Sequence, residues 1–234
     1  MVRKLILICL LFQVAACGEL QDVVNKLPGD GPVSEADIAA GLRQALDIGI
    51  EKQVSKLAQT NGFFGNPLVK IVLPEELKKV DKALRDIGMG DLADEGLKLL
   101  NRAAEEAVAE ATPIFVDAVK NITFKDAKEI LLGGETAATS YLRQATRTQL
   151  YDRFQPVIRN SFEKVGAEKV WSTLISRYNS IPFTNEVNPD LTDYVTLEAL
   201  DGVFTMIAVE EKEIRASFSS RTTALLRKVF ALQD

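Results

Sequence analysis

Apolar residues recur at intervals of three and four along most of this chain, and this spacing constrains its fold more than any other feature. The run that follows Ser34 shows the pattern, with Ile38, Leu42 and Leu46 on one side of a predicted helix. Amphipathic helices have this period, whereas half-buried strands alternate apolar and polar residues. Only residues 63–74 could be extended, and their apolar content favours a buried crossing segment. We therefore predict an all-α fold.

Capping residues and helix breakers divide the periodic sequence into segments. Ser34 with Asp37, and Thr123 with Asp126, have the spacing of capping boxes, and Asp91 is a further predicted cap. The other predicted boundaries are Asn61-Gly62, Gly88, Thr112-Pro113, Gly133-Gly134 and Pro156. Because the connections between these segments are short, we predict a single compact domain of about eight to ten helices. This domain covers residues 34–234, with Gly133-Gly134 as a weak candidate for a split.

The composition is that of a globular protein. The chain has 234 residues, of which 47% are hydrophobic and 26% are charged, so intrinsic disorder is excluded. A mean hydropathy of +0.03 is too low for several membrane spans. Any membrane contact must therefore be local.

The first residues have the layout of a secretory signal. Arg3 and Lys4 precede the apolar run 5–12, and Val14-Ala15-Ala16-Cys17 resembles the lipobox of bacterial lipoproteins. The resemblance implies that residues 1–16 are a signal peptide and that Cys17 is lipidated after cleavage. Gly18 stands where inner-membrane retention signals carry Asp, so the resemblance implies an outer-membrane lipoprotein that faces the periplasm. Residues 17–33 would then be the lipidated cysteine and a short tether, rich in glycine and proline.

Removal of the signal would change the chemistry of the chain. Cys9 would be lost and Cys17 would carry a thioether, so no disulfide could form. Loss of Arg3 and Lys4 would change the net charge from −5 to −7. An acidic domain argues against a nucleic-acid partner, and acyl chains would supply the membrane attachment.

The chain contains no histidine, which removes much of the usual catalytic repertoire. Ser-His-Asp and Cys-His sites are excluded, and so are metal sites with imidazole ligands. A carboxylate-bridged di-metal bundle would need Glu-x-x-His pairs, which are also absent. We predict no catalytic residues, no metal and no cofactor.

One segment could bind an anion or another ligand. Two glycines precede a predicted helix that has threonines in its first turn and arginines further along, which places backbone N–H groups and cations together. The alternative is a glycine stop and a threonine cap followed by a solvated or internally paired arginine stripe. The residues of this candidate site are Gly133, Gly134, Thr136, Thr139, Arg143 and Arg147.

Two other polar clusters favour structural roles. Oxygen ligands gather at Asn188, Asp190, Thr192 and Asp193, but they lack the spacing of an EF-hand, and helix capping accounts for the same residues. The second cluster contains Glu210, Glu211 and Glu213 beside Lys212 and Arg215, and it predicts a solvated, salt-bridged face.

Several blocks in fixed order resemble a known family. They are Asn66-Pro67 before residues 71–74, Asn101-Arg102-Ala103-Ala104-Glu105, Pro113-Ile114-Phe115, Gly133-Gly134 with Thr136-Ala137-Ala138-Thr139, and Leu200-Asp201-Gly202 before Arg221-Thr222-Thr223. From about Ser34 to Phe230, the chain resembles bacterial domain of unknown function family 4197. The resemblance implies a helical, often lipid-anchored protein, and it brings no catalytic residues.

Two functions of different classes remain open. The first is a non-enzymatic binding or envelope-maintenance module that presents a groove or pocket to an envelope protein or an apolar ligand. The second is a carboxylate-dependent hydrolase of cell-wall glycan, since that chemistry needs only Asp or Glu. The Glu-Ser block of helical transglycosylases is absent, and Glu135 is a poor substitute for it. The sequence therefore favours the binding module.

Overall fold

The structure is a computed structural model, and it describes residues 32–73, 75–86, 88–165, 167–180 and 190–233. This part of the chain forms nine α-helices and two short 3-10 helices, with no strand among the described residues. The predicted all-α class and number of helices are confirmed. The predicted signal peptide, Cys17 and most of the predicted tether lie outside the described residues.

The helices follow one another with short connections. They are α1 (Glu35–Leu57), α2 (Glu75–Asp86), α3 (Gly90–Val108), α4 (Ala111–Lys120), α5 (Phe124–Leu131), α6 (Ala137–Val165), α7 (Ala167–Asn179), α8 (Thr192–Ala216) and α9 (Ala224–Phe230), with 3-10 turns at Phe218–Ser220 and Ala231–Gln233.

Two helices begin with the predicted capping boxes. The Ser34 hydroxyl accepts a hydrogen bond from the Asp37 backbone N–H, and the Asp37 carboxylate accepts one from the Ser34 N–H. Thr123 and Asp126 exchange the same pair of bonds at the start of α5. These bonds satisfy backbone N–H groups that have no partner within the helix.

Two other helices begin close to the predicted positions, but Asp91 and Thr112 are not their caps. Helix α3 begins at Gly90 without a side-chain cap, and Asp91 lies in its first turn. A carboxylate there still interacts favourably with the helix dipole, so capping is not required. Thr112 and Pro113 lie inside the first turn of α4, after a break at Ala109 and Glu110. Proline fits this turn because the first N–H groups of a helix have no internal acceptor.

The predicted break at Pro156 is also wrong. Helix α6 continues through Pro156 to Val165. A proline in a helix interior removes one backbone hydrogen bond and costs about 3 kcal/mol of helix propensity. On either side of it, Phe154 and Ile158 are completely buried. Burial of such side chains contributes about 1.5 to 3 kcal/mol each, which is enough to offset the proline.

A single hydrophobic core joins the helices. Helices α6 and α8 lie at its centre, where α6 also packs on α3 and α4, and α8 also packs on α1 and α3. Helices α5 and α9 pack on α1, while α2 and α7 pack on α3.

The predicted crossing segment has no regular structure and is buried only in part, because Leu68 and Val72 are at least half exposed. Phe63 and Ile71 are completely buried, and side chains of α3 satisfy the backbone of the segment. The Asn101 amide donates to the Ile71 carbonyl at 2.9 Å and accepts from the Ile71 N–H at 2.8 Å. The Glu105 carboxylate accepts from the Phe63 N–H at 3.2 Å. Because buried backbone groups need partners, these two side chains allow a non-helical segment to cross the core.

Candidate functional site

Three of the predicted ligand-site residues line one surface groove between α6 and α8. They are Thr136, Thr139 and Arg143. Gly133 and Gly134 form the turn between α5 and α6 and do not line this groove. Arg147 is exposed on α6, one turn beyond Arg143, and also lies outside the groove lining.

The N-terminus of α6 binds an anion that belongs to the chain. The Glu211 carboxylate accepts hydrogen bonds from the backbone N–H groups of Ala138, at 2.9 Å, and Thr139, at 2.8 Å. It also accepts from the Thr139 hydroxyl at 2.7 Å. Free N–H groups and the helix dipole make such a position favourable for a carboxylate. An external anion at these N–H groups would have to displace Glu211.

Arg215 completes this polar cluster. Its guanidinium forms an ion pair with Glu211 at 2.8 Å and donates to the carbonyls of Ile130, at 2.9 Å, and Leu131, at 3.0 Å. Both charged side chains are more than nine-tenths buried. The pair therefore joins α8 to the last turn of α5 and the first turn of α6, which is a structural role.

Glu210 forms a second buried contact on the neighbouring side of α8. Its carboxylate pairs with Lys52 at 2.7 Å and accepts from the Gln53 amide at 2.7 Å. Glu210 and Glu211 also border a small cavity of about 20 Å³, with Leu46 and Ile207 among its apolar walls. That volume is about the size needed by one water molecule.

The prediction of a solvated face at these glutamates is therefore wrong. Glu210 is 5% exposed and Glu211 is 8% exposed. The sequence contains a pattern that predicts this burial, namely the spacing of both glutamates from the apolar Ile207 and Ile214. Intervals of three and four from those residues place both glutamates on the apolar side of α8.

The groove itself combines polar rims with an apolar floor. Its volume is about 340 Å³, and its lining residues are Thr136, Thr139, Ser140, Arg143, Phe204, Thr205, Ala208, Val209 and Lys212. Arg143 lies 4.6 Å from the centre of the Phe204 ring and forms an ion pair with Asp201 at 2.5 Å. Lys212 forms an ion pair with Glu135 at 3.3 Å. Both acidic partners are more than half exposed, so these pairs are weak and can exchange for a ligand.

Close packing requires one of the two glycines before α6. A Cβ at Gly133 would lie 2.7 Å from the Ala137 Cβ and 3.0 Å from the Glu129 carbonyl oxygen. A Cβ at Gly134 would meet nothing within 4 Å. The turn between α5 and α6 thus depends on glycine at position 133.

Two described carboxyl groups whose pKa is raised lie away from the α6–α8 groove. Burial raises the pKa of Asp47 and of Glu198, and neighbouring Glu51 and Asp201 add to the respective shifts. Asp47 is exposed and Glu198 is half-buried, and neither lines the α6–α8 groove or the cavity beside Glu210. A general acid needs a raised pKa within reach of a bound substrate. Nothing in this arrangement favours the hydrolase.

The candidate calcium ligands have other roles where they are described. Asp190 accepts from the Thr192 N–H at 2.9 Å, and hydrogen bonds from Thr192 hold the pKa of Asp190 below its usual value. Asp193 accepts from the Tyr151 hydroxyl at 2.5 Å. Asn188 lies outside the described residues. Among the residues that the structure describes, no group of carboxylates could hold a metal ion.

Lipidation of Cys17 is a prediction on which the described residues give no information. Within the ranges that the structure covers, no helix is long and apolar enough to span a bilayer.

Comparison with known proteins identifies a family. No curated protein and no solved structure has significant similarity to this chain. A family described as "Protein of unknown function (DUF4197)" matches residues 32–231. The match covers all nine α-helices that the structure describes. The chain belongs to the DUF4197 family of proteins of unknown function.

Proposed function

We propose that this protein is a lipid-anchored, non-enzymatic binding module of the bacterial cell envelope. In this proposal Cys17 carries the acyl chains, the helical domain faces the periplasm from the outer membrane, and the α6–α8 groove binds the ligand. The groove is the observation that carries the binding role.

The N-terminal sequence supports the anchor. A basic start, a short apolar run and the lipobox-like residues ending in Cys17 occur together and in the required order. Several acyl chains hold a protein firmly at a membrane, since each buried methylene contributes about 0.8 kcal/mol. The domain then needs no membrane-spanning helix.

The composition of the groove indicates the class of ligand. Arg143 and Lys212 contribute positive charge, hydroxyls contribute hydrogen-bonding groups, and Phe204, Ala208 and Val209 contribute an apolar surface. A ligand with a carboxylate or phosphate group attached to an apolar portion would satisfy all three features. The groove is open, so the same surface suits a small amphiphile or the acidic, apolar end of a partner protein.

The anchor is tested by substitution of Cys17. The Cys17→Ser variant should lack the acyl chains in intact-mass analysis and should leave the membrane fraction. Unchanged membrane fractionation of this variant would refute the anchor.

The groove is tested with the lipidated protein purified from its own membranes. Mass spectrometry of co-purifying small molecules and cross-linked peptides should give a recurring species in the wild type. Its amount should fall about tenfold in Arg143→Ala, since loss of a charge-assisted contact costs about 1.5 to 3 kcal/mol.

The matched control is Arg147→Ala, which removes an exposed arginine of the same helix outside the groove. A species that decreases equally in both variants, or no recurring species at all, would exclude binding in this groove. Release of shorter glycans from purified peptidoglycan would instead establish the hydrolase.

A further inference from the structure

Exposed apolar side chains gather around helix α5. Phe124 at its start is 55% exposed, and Leu132 just after its end is 61% exposed. Both line a broad surface groove of about 650 Å³ together with Lys125, Lys128, Glu129 and Glu35. Leu232, which is 47% exposed, lies near the end of α5, since the side chain of the adjacent Gln233 donates to the Leu131 carbonyl. Lys125 forms an exposed ion pair with Glu129 at 3.9 Å. We call this surface the α5 face; its residues are Glu35, Phe124, Lys125, Lys128, Glu129, Leu132 and Leu232.

The α5 face lies where the N-terminal segment joins the domain. Glu35, the first residue of α1, is part of the groove lining. Sixteen residues separate Cys17 from Ser34. A fully extended chain of that length reaches about 55 Å, so a lipid on Cys17 would tether the domain to the bilayer through this end.

Phe218, which is 64% exposed, follows the C-terminal end of α8, whereas Val72 lies beside the start of that helix. The Tyr194 hydroxyl donates to the Val72 carbonyl near the start of α8, whereas Arg215 near the end of α8 contacts Ile130 and Leu131. The rise of a helix places Tyr194 and Arg215 about 30 Å apart. Val72, which is 50% exposed, therefore provides an internal comparison for Leu132.

From this arrangement, and resting on the lipid anchor proposed above, we propose that the α5 face is in contact with the membrane surface. Phe124, Leu132 and Leu232 enter the boundary between headgroups and acyl chains. Lys125 and Lys128 lie beside them and reach the lipid phosphates, as basic side chains commonly do at an interface.

Apolar contact is the main contribution, because the mature chain would carry a net charge of −7. A few exposed apolar side chains bind a bilayer only weakly. A covalent lipid anchor makes their contact with the bilayer effective, because it raises the local concentration of the domain at the membrane. The groove between α6 and α8 remains available to a ligand from the periplasm.

The test uses the lipidated protein in vesicles of phosphatidylethanolamine and phosphatidylglycerol. The mature chain would have no free thiol, so Leu132→Cys and Val72→Cys can each carry one environment-sensitive fluorophore. Because both positions are exposed, neither substitution should disturb folding, which circular dichroism checks. Vesicles with brominated lipid then report whether each fluorophore contacts acyl chains.

We expect about a twofold loss of fluorescence at position 132 and no change at position 72, as for a side chain at the interface. Equal quenching at both positions, or none at 132, would overturn the contact face. A fluorophore at 132 that is shielded from water but not quenched by brominated lipid would also overturn it, because protein would then cover the face.

The anchor is measured on the same samples by intact mass. Acylated protein without quenching at 132 refutes the contact face and leaves the anchor standing. Protein without acyl chains on Cys17 refutes both.

Discussion

Individual buried residues in this protein use charge to connect helices. Glu211 and Arg215 are one turn apart on α8, and together they occupy the N-terminus of α6 and the last carbonyls of α5. Glu105 performs a similar task for the crossing segment, where it accepts backbone hydrogen bonds. A buried charge is tolerated only with such partners, since an unpaired one is strongly destabilising.

Glu211→Gln should lower the free energy of unfolding by about 3 kcal/mol, because it leaves the Arg215 guanidinium buried without its counter-charge. Urea denaturation followed by circular dichroism at neutral pH measures the change. Glu135→Gln is the matched control, since it removes an exposed partner of Lys212 and should change stability by less than about 1 kcal/mol. Equal decreases in the free energy of unfolding of the two variants would show that the buried ion pair contributes no more to stability than the exposed one.

Local sequence patterns predict some helix boundaries in this protein and not others. The capping boxes of α1 and α5 follow directly from the sequence, because a cap involves residues only three apart. The continuation of α6 through Pro156 does not follow from the sequence, because it depends on the burial of Phe154 and Ile158 against other helices. The same difference explains why Asp91 and Thr112 are not caps: a first turn has several ways to satisfy its N–H groups.

The cap of α5 predicts a pH dependence. Hydrogen bonds from the hydroxyl and backbone N–H of Thr123 hold the pKa of Asp126 below its usual value. A carboxyl with a depressed pKa stabilises the folded state fully above its unfolded pKa of about 4, and this contribution is lost as the pH falls through the folded pKa.

Asp126→Asn should therefore be less stable than the wild type at pH 7, and the difference should shrink as the pH falls below about 4. Urea denaturation at the two ends of this range tests the expectation. Thr123→Ser, which keeps the hydroxyl, should behave like the wild type throughout. A difference between Asp126→Asn and wild type that is independent of pH would contradict the role of the charge.

The molecule as a whole has one core that crosses the predicted weak boundary at Gly133-Gly134. Helices before and after these glycines pack together, and Arg215 of α8 contacts the end of α5. The described residues therefore give no support for a split there, although the two glycines suggested one. No disulfide stabilises this core, because the sequence from Pro32 onward contains no cysteine.

A chain that begins at Pro32 should fold without the preceding segment and should unfold in a single cooperative transition. Circular dichroism and fluorescence of Trp171, which is buried and donates to the Gly96 carbonyl, should give the same midpoint. A reducing agent should not change that midpoint, since no disulfide is present. Two separate transitions would show that the chain contains two folding units.

The sequence alone establishes the helical class, the capped starts of α1 and α5, the non-helical crossing segment and the exclusion of imidazole chemistry. These features depend on residue type and on neighbours a few positions away. Burial of Glu210 and Glu211, continuation of α6 through Pro156 and formation of the α6–α8 groove depend on distant residues meeting. Thr139 and Glu211 are 72 positions apart, and only the packing of α6 against α8 turns a predicted solvated glutamate into the anion at a helix N-terminus.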